Sequence, residues 1–348
     1  MMWTLVMGVD LGGLFQSENC SFSDFKDRVI AIDAYNVLYQ FISTIRSRDG
    51  TPLKNSRGDV TSHLSGLLQR TANLVEESIR PVYVFDGEPH PLKAKTLEER
   101  RKRKEHAEQL YQEALEKGDE EAARKYAQQT SRITDDIIQQ SKELLDALHI
   151  PWIQAPSEGE AQASYMVRKG DAYAVGSQDF DCLLFGASLL IRNLTSSEKR
   201  KLPNKKSYVK IHPKLIRLKP NLKKLEINQK QLIDVALLMG TDFNDGVKGI
   251  GPKKGLKALQ QNGNIENAIE TMDLDDAPTE NEIKTIRNLF LKPAVTDDYS
   301  LQWSPPDKEA VLHLLVDHHQ FSEERINPIL DKYQNLETLV KQKNLFEF

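Results

Sequence analysis

Seven carboxylates fall at the ends of apolar runs and at a helix start. Asp33 ends one short apolar run, Asp86 ends a second, and Asp179 and Asp181 follow a third. In a parallel sheet the carboxyl ends of the strands form the usual ligand-binding edge, so these side chains are predicted to converge. Glu158 and Glu160 lie at a predicted helix start, and Asp242 lies in a loop. The full set comprises Asp33, Asp86, Glu158, Glu160, Asp179, Asp181 and Asp242.

Clustered anions of this kind repel one another strongly where the effective dielectric is low. They need counter-charge, and a ligand set made only of carboxylate oxygens points to a hard divalent cation such as Mg²⁺ or Mn²⁺. Two such ions can bind a phosphodiester between them, activate water, orient the phosphate and neutralise the leaving oxygen. The acids therefore predict metal-dependent phosphodiester hydrolysis.

Each acid also has a purely structural interpretation. The spacing Ser157-x-x-Glu160 matches a capping box, in which Glu160 only caps a helix. That motif leaves Glu158 unexplained. The other five acids can be ordinary turn, cap or loop residues. Their joint placement is what favours a metal site.

The elements that must position these acids alternate between strands and helices. The strand candidates are short apolar runs at 28–33, 81–85, 150–153, 172–175, 183–185 and 189–191. Helical patterns lie between them. We therefore predict an α/β fold with a mostly parallel central sheet and helices on both of its faces.

Long helices are predicted over 92–147, which hold almost no Gly or Pro and are rich in Glu, Lys, Arg, Ala and Leu. The part up to Gly118 has too few apolar residues for a core helix and is expected to project into solvent. Another helix is expected from Ser157 to about Lys169. The chain is predicted to be helical again from Gln229, with Gly/Pro breaks at 246–252 and 293–306.

Composition limits the class of protein. The 348 residues suit one large domain or two ordinary ones, and 39% apolar with 28% charged residues allow a sizeable core and a charged surface. Two cysteines, Cys20 and Cys182, exclude a disulfide framework and a four-cysteine zinc site. No run approaches the roughly 18 apolar residues of a membrane span, and residues 1–15 lack the basic start of a secretory signal. We expect an intracellular protein that does not enter membranes.

The net charge of −4 is unevenly distributed along the chain, with the positive charge concentrated in three segments. Residues 93–104 carry seven Lys/Arg against two Glu, residues 192–224 carry twelve against one Glu, and residues 246–257 carry four Lys and no acid. Together these segments hold +20, so the rest of the chain holds −24. One basic run is usually a solvated face, but three favour a polyanionic partner such as nucleic acid.

Five motifs carry a family resemblance. They are, in order, IAIDAYNVLYQF, PVYVFDG, APSEGEAQASYM, VGSQDFDCLLFG and LLMGTDFNDGVKGIGPKK. Together they resemble the flap endonuclease family of structure-specific 5′ nucleases, and its archaeal members above all, from about Met7 onward. The resemblance implies that all seven acids are metal ligands. One group comprises Asp33, Asp86, Glu158 and Glu160, and the second comprises Asp179, Asp181 and Asp242.

The resemblance also implies a helical arch over 90–130. Lys93 and Arg100 match the two basic residues at the base of this arch. They are seven residues apart, which is nearly two helical turns, so their side chains face the same side of the helix. This arrangement suits contact with the scissile phosphate. Tyr39 matches an aromatic that stacks on a base near the scissile bond. The cations expected to steer single-stranded DNA are Arg101, Lys102, Arg103 and Lys104. The alternatives are a solvated basic helix face and a core position for Tyr39.

A glycine-rich turn over 246–257 resembles the family's helix–turn–helix element, which is related to helix-hairpin-helix. Gly249 and Gly251 would let backbone N–H groups approach a duplex phosphate. The lysines that add charge are Lys248, Lys253, Lys254 and Lys257. In the family, the 246–251 loop also holds a monovalent ion, usually K⁺, through backbone carbonyls. The alternative is a plain Gly-Pro turn between helices.

Residues 336–348 resemble a sliding-clamp-binding tail of the form Gln-x-x-aliphatic-x-x-aromatic-aromatic. Gln342, Leu345 and Phe348 fit this form, and Phe346 is the candidate for the second aromatic. The resemblance implies the sliding clamp, PCNA, as a partner. A disordered tail or a hydrophobic anchor is the alternative.

Family members usually begin at Met-Gly, here Met7-Gly8, so residues 1–6 form an extension.

These observations predict one nuclease domain over 1–335, with an N-terminal region at 7–110, the arch, an internal region at 140–262, and the tail. We expect a monomer that cleaves 5′ flaps at single-strand/double-strand junctions, with 5′–3′ exonuclease activity at nicks and gaps. Two Mg²⁺ ions, or Mn²⁺ in their place, would serve catalysis. The expected roles are Okazaki-fragment maturation and base-excision repair, in the cytoplasm and at the nucleoid if the source is archaeal.

Three other functions compete with this prediction. A related superfamily nuclease for bubbles, Holliday junctions or ends would carry a long insertion near 92–130 or a long C-terminal extension. A non-catalytic DNA-binding module or clamp adaptor would not need seven intact acids. A Mg²⁺ phosphohydrolase for small molecules would not need three basic segments.

Overall fold

A computed structural model describes residues 8–47, 50–196, 199–201, 208–274, 276–334 and 336 of the chain. The described strands are β1 (Glu18–Asn19), β2 (Val29–Asp33), β3 (Arg80–Phe85), β4 (Trp152–Gln154), β5 (Ala174–Gly176), β6 (Leu189–Arg192), β7 (Lys199–Lys201), β8 (Tyr208–Lys210) and β9 (Lys214–Arg217). The residues predicted to bind the clamp lie outside the described part, as does the extension at 1–6; they are Gln342, Leu345, Phe346 and Phe348.

Helices make up most of the remaining regular structure. The described α-helices are α1 (Ala34–Thr44), α2 (Ser62–Glu76), α3 (Ala94–Glu116), α4 (Glu120–Gln129), α5 (Asp135–Ala147), α6 (Gly159–Lys169), α7 (Asp181–Leu184), α8 (Leu218–Leu225), α9 (Gln229–Met239), α10 (Pro252–Asn262), α11 (Ile265–Met272), α12 (Glu280–Leu291), α13 (Lys308–Leu312) and α14 (Glu323–Leu330). Within the described residues, no helix is both long enough and apolar enough to cross a bilayer.

Seven strands form one twisted sheet in the order β1-β9-β6-β5-β2-β3-β4. The five strands from β6 to β4 run parallel, whereas β9 is antiparallel to β6 and to β1. Strands β7 and β8 form a separate antiparallel pair. The predicted mostly parallel central sheet is confirmed.

Both faces of the sheet are buried. Along β2, Ile30 and Ile32 enter one hydrophobic cluster and Ala31 enters the other, because successive side chains of a strand point to opposite faces. Helices α1, α2 and α5 supply the first cluster, and α6, α7 and α9 supply the second. A parallel sheet covered in this way needs strands that are apolar throughout, as the sequence has. The predicted α/β fold is confirmed.

One predicted strand is wrong. Residues 183–185 lie at the end of the short helix α7 and in the turn after it, not in a strand. Leu183 and Leu184 are fully buried in the cluster under the sheet. A short apolar run of this kind satisfies a buried helix turn as well as a buried strand, so periodicity alone does not separate them. Strands β4 and β5 also begin two residues later than predicted.

The segment at 90–130, which is predicted to be the arch, contains α3 and α4, and α4 packs against α3. Only Ala107 and Ala114 of α3 are buried, whereas Leu97 and Leu115 are exposed. A helix with so small an apolar face cannot belong to the core. The structure therefore agrees with a solvent-exposed helical excursion between β3 and β4.

A buried ion pair joins the helices that follow the sheet. Arg287 of α12 binds Asp234 of α9 through two N–H···O bonds of 2.5 and 2.7 Å, and its third contact, at 2.6 Å, is to Glu266 of α11. Asp234 is only 1% exposed. One guanidinium thus holds three helices together, including α9, whose end leads into the loop that carries Asp242.

We expect Asp234→Ala to lower the free energy of unfolding by about 3 kcal/mol, because it leaves a buried guanidinium with a single partner. The shift of the urea midpoint at unchanged m-value measures this loss. The control is Glu105→Ala, which removes the exposed partner of Arg101 and is expected to change stability by less than about 1 kcal/mol. Equal shifts for the two variants would contradict a structural role for the Arg287 pair.

Candidate active site

The acids meet at the point where the strand order reverses. From the central strand β2 the chain moves outward to β3 and β4, and then crosses to β5 and β6 on the other side of β2. In open α/β sheets, the crevice beyond the carboxyl ends of the strands at such a switch point binds ligands. Asp33 is the last residue of β2, and Asp179 lies three residues after β5.

Three carboxylates form a tight group in this crevice. Asp33, Glu160 and Asp179 offer oxygen atoms that all lie within 4.8 Å of one another. Glu160 comes from the first turn of α6, which begins at Gly159 with Glu158 as its N-cap residue. The capping-box interpretation of Ser157 and Glu160 is therefore wrong, since α6 begins one residue later than that motif requires and its N-cap residue is Glu158. Glu160 instead points its carboxylate toward the acids from β2 and from the segment after β5.

The remaining acids flank this group. Asp86 accepts a 2.6 Å bond from the Gly159 N–H, and Asp181 accepts a 2.9 Å bond from the Val9 N–H. The tight group takes Asp33 and Glu160 from one predicted set of ligands and Asp179 from the other. The structure thus brings the predicted acids to one crevice without separating them into two sets.

Burial and mutual repulsion raise the carboxyl pKa values in the cluster. Burial, opposed by hydrogen bonds from Asn36 and Ser177, raises the pKa of Asp33 to about 6. Burial and then the charges of Asp33 and Glu158 raise the pKa of Asp86 to about 7. The pKa of Asp181 also rises to about 7, through burial and then Asp242.

The same two causes, burial first, raise the pKa values of Glu160 and Asp179. Burial and the neighbouring acids both disfavour the ionised carboxylates, so an added positive charge would stabilise them. Their oxygens are the donors that hard divalent cations prefer. The residues present therefore fit a divalent metal centre.

Two arch cations supply part of the missing charge. Lys93 binds the Glu158 carboxylate and lies 3.4 Å from Asp242 Oδ2, and Arg100 Nη2 lies 2.5 Å from Asp242 Oδ1. Burial by itself would lower the pKa of Lys93, but Glu158 and Asp242 outweigh it and raise that pKa above its ordinary value. The two cations face the same side, as the seven-residue spacing predicts, and both reach into the acid crevice.

Three contacts at the acids were not found from the sequence. Asn36 Nδ2 donates to Asp179 Oδ2 at 2.8 Å, and Ser177 Oγ donates to Asp33 Oδ2 at 3.2 Å. The position of Asn36 could have been inferred locally, because Asp33 caps α1 by accepting a hydrogen bond from the backbone N–H of Asn36, three residues later. The Val9 contact to Asp181 had none, since 172 residues separate the two.

Gly8 leaves room for the contact between the Val9 N–H and the Asp181 carboxylate. Its φ is +94°, and a Cβ atom there would lie 2.8 Å from an oxygen of the Asp181 carboxylate. A side chain at this position would therefore be strained and would also strike the acid. The described N-terminal segment thus lies directly against the crevice.

The other residues predicted to contact single-stranded DNA lie on α3, except Tyr39, which lies on α1. Lys104 Nζ is 5.6 Å from the ring centroid of the half-buried Tyr39. Arg101 pairs with Glu98 and Glu105, Lys102 with Glu98, and Arg103 with Glu99, all at exposed positions. Such exposed pairs add little stability, so these cations can exchange their carboxylate partners for phosphate at small cost.

The predicted helix–turn–helix lies between α9 and α10. Gly251 is the N-cap residue of α10, and Gly249 has φ +79° with open space on its outer side. Lys254 Nζ donates to the Gly249 carbonyl at 3.1 Å. The exposed lysines at this end of the unit are Lys248, Lys253, Lys254 and Lys257. The turn therefore combines Gly249 and Gly251 with four exposed lysines within ten residues.

Comparisons with known proteins agree with this architecture. Residues 12–107 match the family model described as the XPG N-terminal domain, and residues 149–242 match the XPG I-region. Flap endonuclease 1 of Staphylothermus marinus is 50% identical over 331 residues, which cover 94% of each chain. The chain belongs to the flap endonuclease family. The metal-dependent nuclease class predicted for this enzyme is thereby confirmed.

Solved structures support the same assignment. The enzyme superposes on flap endonuclease-1 from Methanococcus jannaschii with a TM-score of 0.75 and 42% identity, covering 97% of this chain and 100% of the other. The catalytic core of Rad2 in complex with DNA substrate has a TM-score of 0.67 at 22% identity, with 90% and 95% coverage. That second likeness shows a shared fold.

Proposed function

We propose that this enzyme is a structure-specific 5′ flap endonuclease and 5′–3′ exonuclease in which the acid crevice holds two catalytic metal ions. The observation that carries the proposal is the group of Asp33, Glu160 and Asp179 at the switch point of the sheet, with Lys93 and Arg100 reaching into the same crevice. Membership of the flap endonuclease family supports flap DNA as the substrate. The DNA bound in the Rad2 complex supports DNA as the class of partner.

All seven predicted acids serve as ligands in this proposal, with Mg²⁺ as the ion and Mn²⁺ as its substitute. When bound, the two ions activate the attacking water and neutralise charge on the phosphate and the leaving oxygen. Asn36 and Ser177 hold the carboxylates of Asp179 and Asp33 in position through their hydrogen bonds. Such orienting contacts commonly matter nearly as much as the ligands.

Lys93 and Arg100 bind the scissile phosphate. In the DNA-free enzyme they are paired with Glu158 and Asp242. Metal ions held by those acids would supply the counter-charge instead, which would leave Lys93 and Arg100 available to the phosphate oxygens. Glu158 and Asp242 raise the pKa of Lys93 in the DNA-free enzyme and so favour its ammonium form, and an ammonium group can stabilise the negative charge that develops during hydrolysis.

The DNA follows the two basic surfaces on either side of the crevice. The single strand passes the arch, where Tyr39 offers a stacking ring and Lys104 lies over that ring. The other strand-steering cations are Arg101, Lys102 and Arg103. The duplex binds the helix–turn–helix through the backbone of Gly249 and Gly251 and through Lys248, Lys253, Lys254 and Lys257.

A K⁺ ion is proposed for the 246–251 loop. The Lys254 ammonium already bonds the Gly249 carbonyl, which supports a cation-accepting role for this loop. Duplex affinity is expected to be higher in KCl than in NaCl at equal ionic strength. Equal affinity in the two salts would count against the ion.

The remaining proposals concern the whole chain. We propose a single nuclease domain over 1–335, active as an intracellular monomer at the nucleoid in Okazaki-fragment maturation and base-excision repair, with residues 336–348 binding the sliding clamp. The Phe348→Ala variant is expected to lose clamp binding in a pull-down and to elute as a monomer like the parent. Clamp binding at the parent level would reject the role of the tail.

A matched set of DNA substrates tests the function. Flap, nick, bubble and four-way junction DNAs of the same sequence are cut under single-turnover conditions with Mg²⁺ and with a chelator. We expect the flap to be cut fastest and the chelator to stop all cleavage. Preference for bubbles or junctions would favour the related superfamily nucleases, and binding without cleavage would favour a DNA-binding module.

A further inference from the structure

Two histidines far along the chain from the acid crevice face each other. His313 and His318 begin and end a π-helical segment, His313–His318, between α13 and α14. Their rings are 4.5 Å apart, and their Nε2 atoms are 3.1 Å apart. Residues five apart lie about 140° apart around an α-helix, whereas the i to i+5 bonds of a π-helix bring them to one side. The local π geometry thus creates the pair.

The spacing of the two nitrogens suits one shared metal ion. Two imidazole nitrogens that bind Zn²⁺ at about 2.0–2.1 Å lie about 3.3 Å apart in a tetrahedral site. The observed 3.1 Å is close to that separation. Imidazole nitrogen favours Zn²⁺, Co²⁺, Ni²⁺ and Cu²⁺ over Mg²⁺, so the ligand class differs from that of the acid crevice.

A carboxylate orients one of these rings. His313 Nδ1 lies 3.0 Å from Asp317 Oδ2. Because an ionised carboxylate only accepts, Nδ1 carries the proton, and in the metal-free protein the Nε2 lone pair of His313 accepts the 3.1 Å hydrogen bond from His318 Nε2–H. Metal-binding histidines very often have such a carboxylate behind them, which fixes the tautomer and raises the basicity of the ligand.

The surroundings keep the pair accessible and attractive to cations. The side chains of His313 and Asp317 are 68% and 66% exposed. His318 also lines an open cleft with Asp59, Asp136 and Glu143. Arg57 and His319 line the same cleft and Arg57 pairs with Asp59, so the uncompensated negative charge near His318 comes from Asp136 and Glu143.

We propose that His313 and His318 form a surface site for a divalent transition metal, with Asp317 as a positioning residue. His318 binds through Nε2 and then carries its proton on Nδ1. The site also bears on the fold, because Arg57 bonds the His318 carbonyl and the Ser56 N–H donates to Gln320 at 2.8 Å. A bound ion would brace the segment to which the 51–60 loop is attached.

The test is Zn²⁺ binding by the full chain in excess Mg²⁺, followed by competition with a chromophoric chelator. We expect the parent to bind one Zn²⁺ equivalent more than His313→Ala/His318→Ala, and Asp317→Asn to bind that equivalent about 10–100-fold more weakly. The control is His106→Ala, which removes an exposed histidine of α3 and is expected to bind like the parent.

The same titration in the Asp181→Ala background separates this site from the acid crevice. The extra equivalent is expected to persist there, and Co²⁺ in place of Zn²⁺ is expected to give a visible absorption band that the double variant lacks. A double variant that folds as the parent does and keeps the equivalent would overturn the proposal, as would an equal loss in His106→Ala. Single His313→Gln replaces the double variant if the latter does not fold.

Discussion

Asp181→Ala is expected to lower flap cleavage by at least about 10³-fold while flap-DNA binding persists. Asp181 is 6% exposed, is oriented by the Val9 N–H, and interacts electrostatically with Glu160 and Asp242. Its loss removes a proposed ligand that flanks the Asp33, Glu160 and Asp179 group but changes neither basic surface. Single-turnover cleavage with Mg²⁺ and flap affinity without Mg²⁺ measure the two properties separately.

A thermal readout distinguishes a metal ligand from a merely structural acid. Since Asp181 is a buried anion among other anions, removing it is expected to stabilise the metal-free protein. The rise in Tm on adding Mg²⁺ is expected to shrink, because an ion that binds the native state less tightly stabilises it less. A structural acid would show the opposite sign in the metal-free protein.

The control for this experiment is Asp298→Ala, an exposed aspartate in the segment after α12. We expect its cleavage rate and its Mg²⁺-dependent Tm to match those of the parent. Full Mg²⁺-dependent cleavage by Asp181→Ala would reject the assignment of this acid to the metal centre.

Lys93→Ala is expected to lower the single-turnover rate by about 10²–10³-fold with little change in flap affinity. The ammonium is 15% exposed and lies between Glu158 and Asp242. It therefore has two roles, which are to offset the acids before DNA binds and to contact the phosphate afterwards. Loss of the first role is expected to destabilise the metal-free protein, which is the reverse of the Asp181→Ala effect.

Lys95→Ala is the matched control, since Lys95 lies in the first turn of α3 and Lys93 is the N-cap residue of that helix. Lys95 is 66% exposed and pairs with the equally exposed Asp245 rather than with the acid crevice. We expect a rate within about threefold of the parent, because exposed pairs contribute little. If Lys93→Ala and Lys95→Ala lost equal activity, the effect would belong to the charge of the arch and not to a phosphate contact by Lys93.

Much of the site could be predicted from local patterns. Asp33 and Asp86 stand directly after apolar, β-branched runs, and parallel strands share one carboxyl edge. The exposed character of α3 followed from its scarcity of apolar residues. Local composition and periodicity carry such information because strand and helix formation depend on near neighbours.

The failures have a common cause. The strand predicted at 183–185 and the capping box considered as an alternative for Ser157 and Glu160 both rest on patterns that two structures satisfy equally. Packing under the sheet placed residues 183–185 at the end of a helix and in the turn after it. The position of Glu158 as the N-cap residue of α6 excluded the capping box. The π-helical pairing of His313 with His318 likewise breaks the α-helical period that sequence patterns assume.

The sequence by itself determined the inventory: which acids end strands, which segments are basic, and which family motifs are present. Only the tertiary structure decided which of these groups meet. Asn36 contacts Asp179 across 143 residues, and Arg100 contacts Asp242 across 142. Such contacts depend on the order of strands in the sheet and on where the arch returns to it. Long-range packing sets both, and no local propensity encodes them.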